Sequence, residues 1–136
     1  MVQWIIGYVA TALAFLGLDA IWLNWAASRL YRPKLGALLR EDFSMPPAIA
    51  FYVIYVTGIL IFAVAPALES GRWTSALWRG AMLGFLAYAT YDLTNQATLK
   101  GWSTSITLAD LAWGTFVTAS AAISGFAAIR WLIARG

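Results

Sequence analysis

Three aspartates stand where acids are costly. Asp19, Asp92 and Asp110 each fall inside a long apolar stretch, whereas Glu41, Asp42 and Glu69 fall in polar connections. An acid at the centre of a membrane-spanning helix costs roughly 2.5–3.5 kcal/mol on insertion scales, so three in one small chain call for a reason. Their spacing gives them polar company. Tyr88, Asp92, Asn95 and Gln96 recur at i, i+4, i+7 and i+8, which is one helix face. Asp19 shares a face with Trp22 and Leu23, with Asn24 nearby, and Thr107, Asp110, Trp113 and Gly114 share another. Carboxyls among amides, hydroxyls and indoles suit binding or proton relay. No Lys, Arg or His stands at the same depth. Their charge must be met by a proton, a bound cation, a ligand amine or an interfacial Arg from the first loop.

The elements that must position these residues are helices in a membrane. Of 136 residues, 62% are hydrophobic and 11% charged, against roughly 45–50% and 25% in a soluble domain. A small fold buries the smallest fraction of its chain, so the surplus must face lipid. A helical span takes about 20 apolar residues. The expected architecture is therefore all-α: a polytopic membrane protein, a four-transmembrane-helix bundle with short loops. It forms one domain over residues 1–136, with spans at about 3–27, 47–67, 73–98 and 106–132. The first stretch differs from a secretory leader, because it is too long, contains Asp19 and has no basic residue before it.

The connections carry their own signals. Loop one, 28–45, holds Arg29, Arg32, Lys34 and Arg40 interspersed with Leu30, Tyr31, Leu35, Leu38 and Leu39. It reads either as a short helix in the headgroup layer or as a solvated basic loop. Pro46-Pro47 suits a helix start, Glu69-Ser70-Gly71-Arg72 a tight polar turn, and Lys100-Gly101 a helix end. Trp4, Trp25, Trp73, Trp78, Trp102 and Trp131 cluster near span ends, as interfacial tryptophans do. Gly114, Thr118 and Ala122 recur every four residues, a stripe for close helix packing.

Depth places the acids together. Asp19 lies about eight residues, roughly 12 Å at 1.5 Å per residue, before the end of span one. Asp92 lies a similar distance before the end of span three, and Asp110 one turn into span four. All three fall in the membrane half that faces loops one and three. Loop one and Lys100 together carry five basic residues, and the opposite face carries four: Arg72, Arg79, Arg130 and Arg135. The dense cluster in loop one favours a cytoplasmic loop one, with both termini outside.

Several chemistries are excluded. With no Cys and no His, there is no disulfide, zinc-finger spacing, Cys nucleophile or His base. No glycine-rich phosphate loop or cofactor motif is present, so no cofactor is expected. Nucleic acid is not an expected partner, since a net charge of +3 suits loop anchoring. Three Asp fall short of the roughly six oxygens of a Mg²⁺ or Ca²⁺ site, so no metal is expected either.

Several readings of the acids stand. They fix packing through inter-helix hydrogen bonds, each worth about 1–2 kcal/mol or less. Or they line a half-membrane polar pocket for a lipid headgroup or small polar ligand. That pocket comprises Asp19, Trp22, Tyr88, Asp92, Asn95, Gln96, Asp110 and Trp113, with Trp22 and Trp113 as walls and membrane lipids as partners. Or they relay protons or cations in an oligomeric transporter, or pair with partner helices in a larger membrane complex. A lipid-modifying enzyme using Asp92 and Asp110 as acid and base ranks last, because no catalytic set accompanies them.

The run Tyr88-Ala-Thr-Tyr91-Asp92-Leu-Thr94-Asn95-Gln-Ala-Thr98-Leu-Lys-Gly101-Trp102, followed by Thr107-Leu-Ala-Asp110-Leu-Ala-Trp113-Gly114-Thr115, resembles the signature of the DUF2177 family of predicted bacterial membrane proteins. Leu18-Asp19-Ala-Ile-Trp22-Leu and the stretch from Tyr31-Arg32 to Leu39 resemble its first half. The resemblance covers nearly the whole chain. It implies a small four-span protein of a bacterial inner membrane and no particular activity. One departure is Ser103, where the family often has Pro, which is expected to loosen the turn into span four.

Overall fold

The computed structural model describes residues 1–38 and 44–135; Leu39, Arg40, Glu41 and Asp42 of loop one lie outside the described residues. Four helices account for nearly all of it: α1, Val2–Leu35; α2, Met45–Ser70; α3, Trp73–Thr98; and α4, Thr104–Arg135. No strand occurs among the described residues. Helices α1, α2 and α4 are each long and apolar enough to cross a membrane. At 26 residues, or ~39 Å, α3 matches α2 in length but is the most polar of the four, with Arg79 and Asp92 among its residues. It packs along α4.

The turns form where local chemistry demands them. Ser44 is extended (φ −82°, ψ 108°), and Pro46-Pro47 occupy the first turn of α2, where a missing N–H is harmless. Gly71 adopts the left-handed conformation (φ 72°) and donates to the Ala67 carbonyl (2.8 Å), so α2 ends in a glycine cap. The Arg130 guanidinium donates to the Gly71 carbonyl (3.1 Å), which ties the end of α4 to this turn. Ser103 does not loosen the entry to α4. Its hydroxyl accepts the Ser105 N–H (3.1 Å), as an N-cap does.

The first half of loop one is helical, neither a separate interfacial helix nor a solvated loop. Helix α1 continues through a π turn, Ala27–Tyr31, and a last α turn, Arg32–Leu35. A matching π turn, Leu60–Val64, interrupts α2. Both precede a proline by two residues, Pro33 and Pro66. Proline has no N–H to give to the carbonyl four residues back. Just before each, the ladder slips to the five-residue register: Arg32 N–H bonds Ala27 O, and Ala65 N–H bonds Leu60 O.

Helix α4 is central. It packs on both α3 and α1, and α2 touches all three. Small residues every fourth position make the contacts close. The stripe Gly114, Thr118, Ala122 on α4 meets Gly80 and Gly84 of α3. A Cβ on Gly80 would lie 2.9 Å from the Ala119 Cα, and one on Gly84 would run into the Gly114 carbonyl and 2.7 Å from the Thr118 hydroxyl. In lipid there is no hydrophobic gain from joining apolar helices, so such backbone proximity and its dispersion contacts drive association. Toward the ends, Trp4, Trp25, Trp73, Trp78 and Trp131 point outward. Arg79 lies over Trp78 (4.6 Å) and Arg135 over Trp131 (4.8 Å), as expected where helices meet headgroups.

Gly84→Ala is therefore expected to destabilise the bundle by about 1–3 kcal/mol through overpacking. Gly58→Ala, with nothing within 4 Å of the added carbon, should leave stability unchanged or slightly raised. Reversible unfolding in mixed micelles measures both.

Candidate functional site

The stripes that pack the helices run on into the acids. On α1, Gly7, Thr11 and Phe15 are followed at the same interval by Asp19; on α3, Gly80, Gly84 and Tyr88 by Asp92; on α4, Asp110 precedes Gly114 by the same interval. Inward direction is thus set by the packing, and the carboxyls follow it.

One connected run of polar groups begins at α2. The half-buried Asp19 accepts the Tyr52 hydroxyl at 2.7 Å and the Trp113 indole N–H at 3.3 Å. Trp113 stacks flat on Trp22, with centroids 4.9 Å apart and planes 9° apart. The Trp22 N–H donates to the Tyr31 hydroxyl (3.0 Å), and Tyr31 donates to the Asp110 carboxylate. Tyr31 is the last residue of the π turn in α1. Every side-chain donor in this run has an acceptor, as burial requires.

Asp92 differs. It lies beside Asp110 across the α3–α4 contact, within reach for the two carboxyls to share a proton, is completely buried, and among the described residues its oxygens have no other hydrogen-bond partner. Both carboxyls line a cavity of about 280 Å³, with Phe51 of α2 and Ala87, Tyr88 and Tyr91 of α3. Phe51 is 46% and Tyr91 62% exposed, so the cavity opens sideways on the outer surface of the bundle, between α2 and α3.

The eight residues singled out from the sequence therefore fall into three groups. Tyr88, Asp92 and Asp110 line the cavity. Asp19, Trp22 and Trp113 form the adjoining hydrogen-bonded and stacked run. Asn95 and Gln96 sit at the end of α3. The Asn95 carbonyl accepts the Leu99 N–H (2.8 Å), and the Gln96 amide donates to Thr104 (2.8 Å). Tyr31, Tyr52, Phe51 and Tyr91 complete the site without having stood out in the sequence. A tyrosine in an apolar span was the available signal for Tyr52, since its buried hydroxyl needs a partner.

The arrangement offers acceptors in excess of donors. Among the described residues no three His, Cys, Asp or Glu side chains gather as a metal site would require. The Asp92–Asp110 pair supplies four oxygens, where hard divalent cations take about six or more. Among the described residues no Ser, Thr, Cys or Lys lines the cavity. What it can do is receive a group that brings its own N–H or O–H donors.

The Tyr52–Asp19 contact is expected to be worth holding. A double-mutant cycle of Tyr52→Phe and Asp19→Asn should give a coupling of about 0.6 kcal/mol, the average for inter-helix hydrogen bonds in a membrane protein. Strictly additive effects in the same unfolding assay would show that the bond does not fix α2 against α1.

The chain matches the family described as Predicted membrane protein (DUF2177) over residues 4–127. No curated protein and no solved structure matches it. The matched stretch takes in every residue of the cavity and of the polar run. On that match, the chain belongs to the DUF2177 family, a family of predicted membrane proteins.

Proposed function

We propose that the protein is a membrane-embedded binding module, which takes the polar end of a lipid or a small polar ligand into the cavity lined by Asp92 and Asp110. The observation that carries this reading is Asp92, fully buried at a cavity that opens sideways and with no hydrogen-bond partner there beyond the Asp110 carboxyl beside it. A buried acceptor left unpaired costs about 1–3 kcal/mol, and more if charged, whereas the neighbouring acids Asp19 and Asp110 are hydrogen-bonded. A ligand that donates to Asp92 would offset that cost. The apolar wall of Phe51 and Ala87 suits an amphiphile approaching through lipid. A bacterial inner membrane is the setting the family resemblance favours. The basic Arg29, Arg32 and Lys34 at the end of α1 favour a cytoplasmic position for that end and attraction to anionic headgroups.

Native mass spectrometry of the protein extracted gently in its own lipids, beside an Asp92→Asn, Asp110→Asn double variant, tests the reading. A small molecule or lipid retained by the parent protein and lost from the variant is expected. A bare chain in both preparations would make the acids packing groups.

A further inference from the structure

The chemistry of the cavity says more about its occupant than that it is polar. Two carboxyl groups share one small space, and among the described residues no Lys or Arg hydrogen-bonds either of them. Asp110 has one oxygen engaged by Tyr31, and Asp92 has no partner besides Asp110 itself. Three aromatic rings, Phe51, Tyr88 and Tyr91, stand around the same space. The negative faces of such rings attract a cation, and carboxylates accept charge-assisted hydrogen bonds from it. A phosphate, sulfate or carboxylate would meet the like charge of two carboxyls, with only the Tyr88 and Tyr91 hydroxyls to donate to it. A neutral hydroxyl would satisfy one or two lone pairs and leave the charge question open.

Resting on the binding role proposed above, we infer that the ligand's polar end is an organic ammonium group, held by Asp92 and Asp110 and enclosed by Phe51, Tyr88 and Tyr91. A volume of about 280 Å³ lies at the lower limit of ligand pockets, roughly 300 Å³. It suits a headgroup-sized amine, with any attached chain leaving past Phe51 and Tyr91 into lipid. Such an amine has two sources, the headgroup of an aminolipid or a free small amine. The recognition chemistry is the same for both.

The test uses the full chain in a neutral maltoside micelle, with dodecylammonium, dodecyl sulfate and dodecanol as probes and propylamine as the chainless amine. Binding is read by native mass spectrometry and by the protein's tryptophan fluorescence. Saturable binding of dodecylammonium is expected, with no competition from dodecyl sulfate or dodecanol. Asp92→Asn should weaken it by roughly tenfold or more, the loss of one charge-assisted contact. Phe51→Leu, an apolar exchange at a position 46% exposed, should weaken it while the chain still folds. This second variant keeps the inference testable if Asp92→Asn misfolds. Competition by propylamine at concentrations similar to dodecylammonium would identify a free amine as the source. Failure of propylamine, together with retention of an aminolipid from vesicles that also contain phosphatidylglycerol, would identify a lipid. Asp92-dependent binding of the sulfate or the alcohol as strong as that of the amine would overturn the ammonium assignment and leave the binding role intact. Absence of any Asp92-dependent binding would overturn both.

Discussion

The approach of α3 to α4 is the constraint on which the rest depends. Gly84 backs onto the Gly114 carbonyl and the Thr118 hydroxyl with no room for a side chain, and Gly80 sits equally close to Ala119 and Ala122. Because side chains four residues apart on a helix lie on one face, fixing Gly80 and Gly84 inward also fixes Tyr88 and Asp92 inward. On the other helix, fixing Gly114 and Thr118 does the same for Asp110. The acids cannot turn to lipid without breaking the close contact. Packing and polarity are therefore one arrangement, in which the dry half of the stripe drives association and the other half carries the carboxyls with it.

What surrounds those carboxyls is set by two helices with broken ladders. The π turn of α1 ends at Tyr31, whose hydroxyl reaches Asp110, and it precedes Pro33. One extra residue in a turn rotates all that follows by about 100°, a little over a quarter of a turn. This is how a residue that follows the apolar stretch comes to face the bundle. Helix α2 contributes Tyr52 to Asp19 and Phe51 to the cavity mouth from adjacent positions, one ring inward and one outward. With Asp19 and Asp110 bonded to aromatic donors in this way, the lack of such a donor is, among the three acids, specific to Asp92. It is not a general property of the acids in this membrane half.

Much of this was legible in the residues alone. The four helices, the glycine turns at Gly71 and Gly101, the small-residue stripe at Gly114, Thr118 and Ala122, and the inward faces around Asp92 and Asp110 follow from period, hydropathy and turn chemistry. Two things did not follow. Tyr31 was hidden because charges and Pro33 make its surroundings read as a loop, whereas the helix passes through by slipping register. The grouping around the cavity was hidden because periodicity gives the face of a helix and not its neighbour. That Asp19 pairs with Tyr52 and Trp113, while Phe51 and Tyr91 frame Asp92, depends on the order of the helices around the bundle.

On the binding role proposed above, a group arriving from the membrane reaches Asp92 between α2 and α3. Photocrosslinking tests it most directly, with an aminolipid carrying a diazirine next to its headgroup nitrogen, reconstituted with the full chain and mapped by peptide mass spectrometry. Adducts are expected on Asp92 and on its neighbours Phe51 and Tyr91, reduced in Asp92→Asn. Adducts confined to the basic end of α1, around Arg29 and Lys34, with none on α2 or α3 at the cavity, would contradict it.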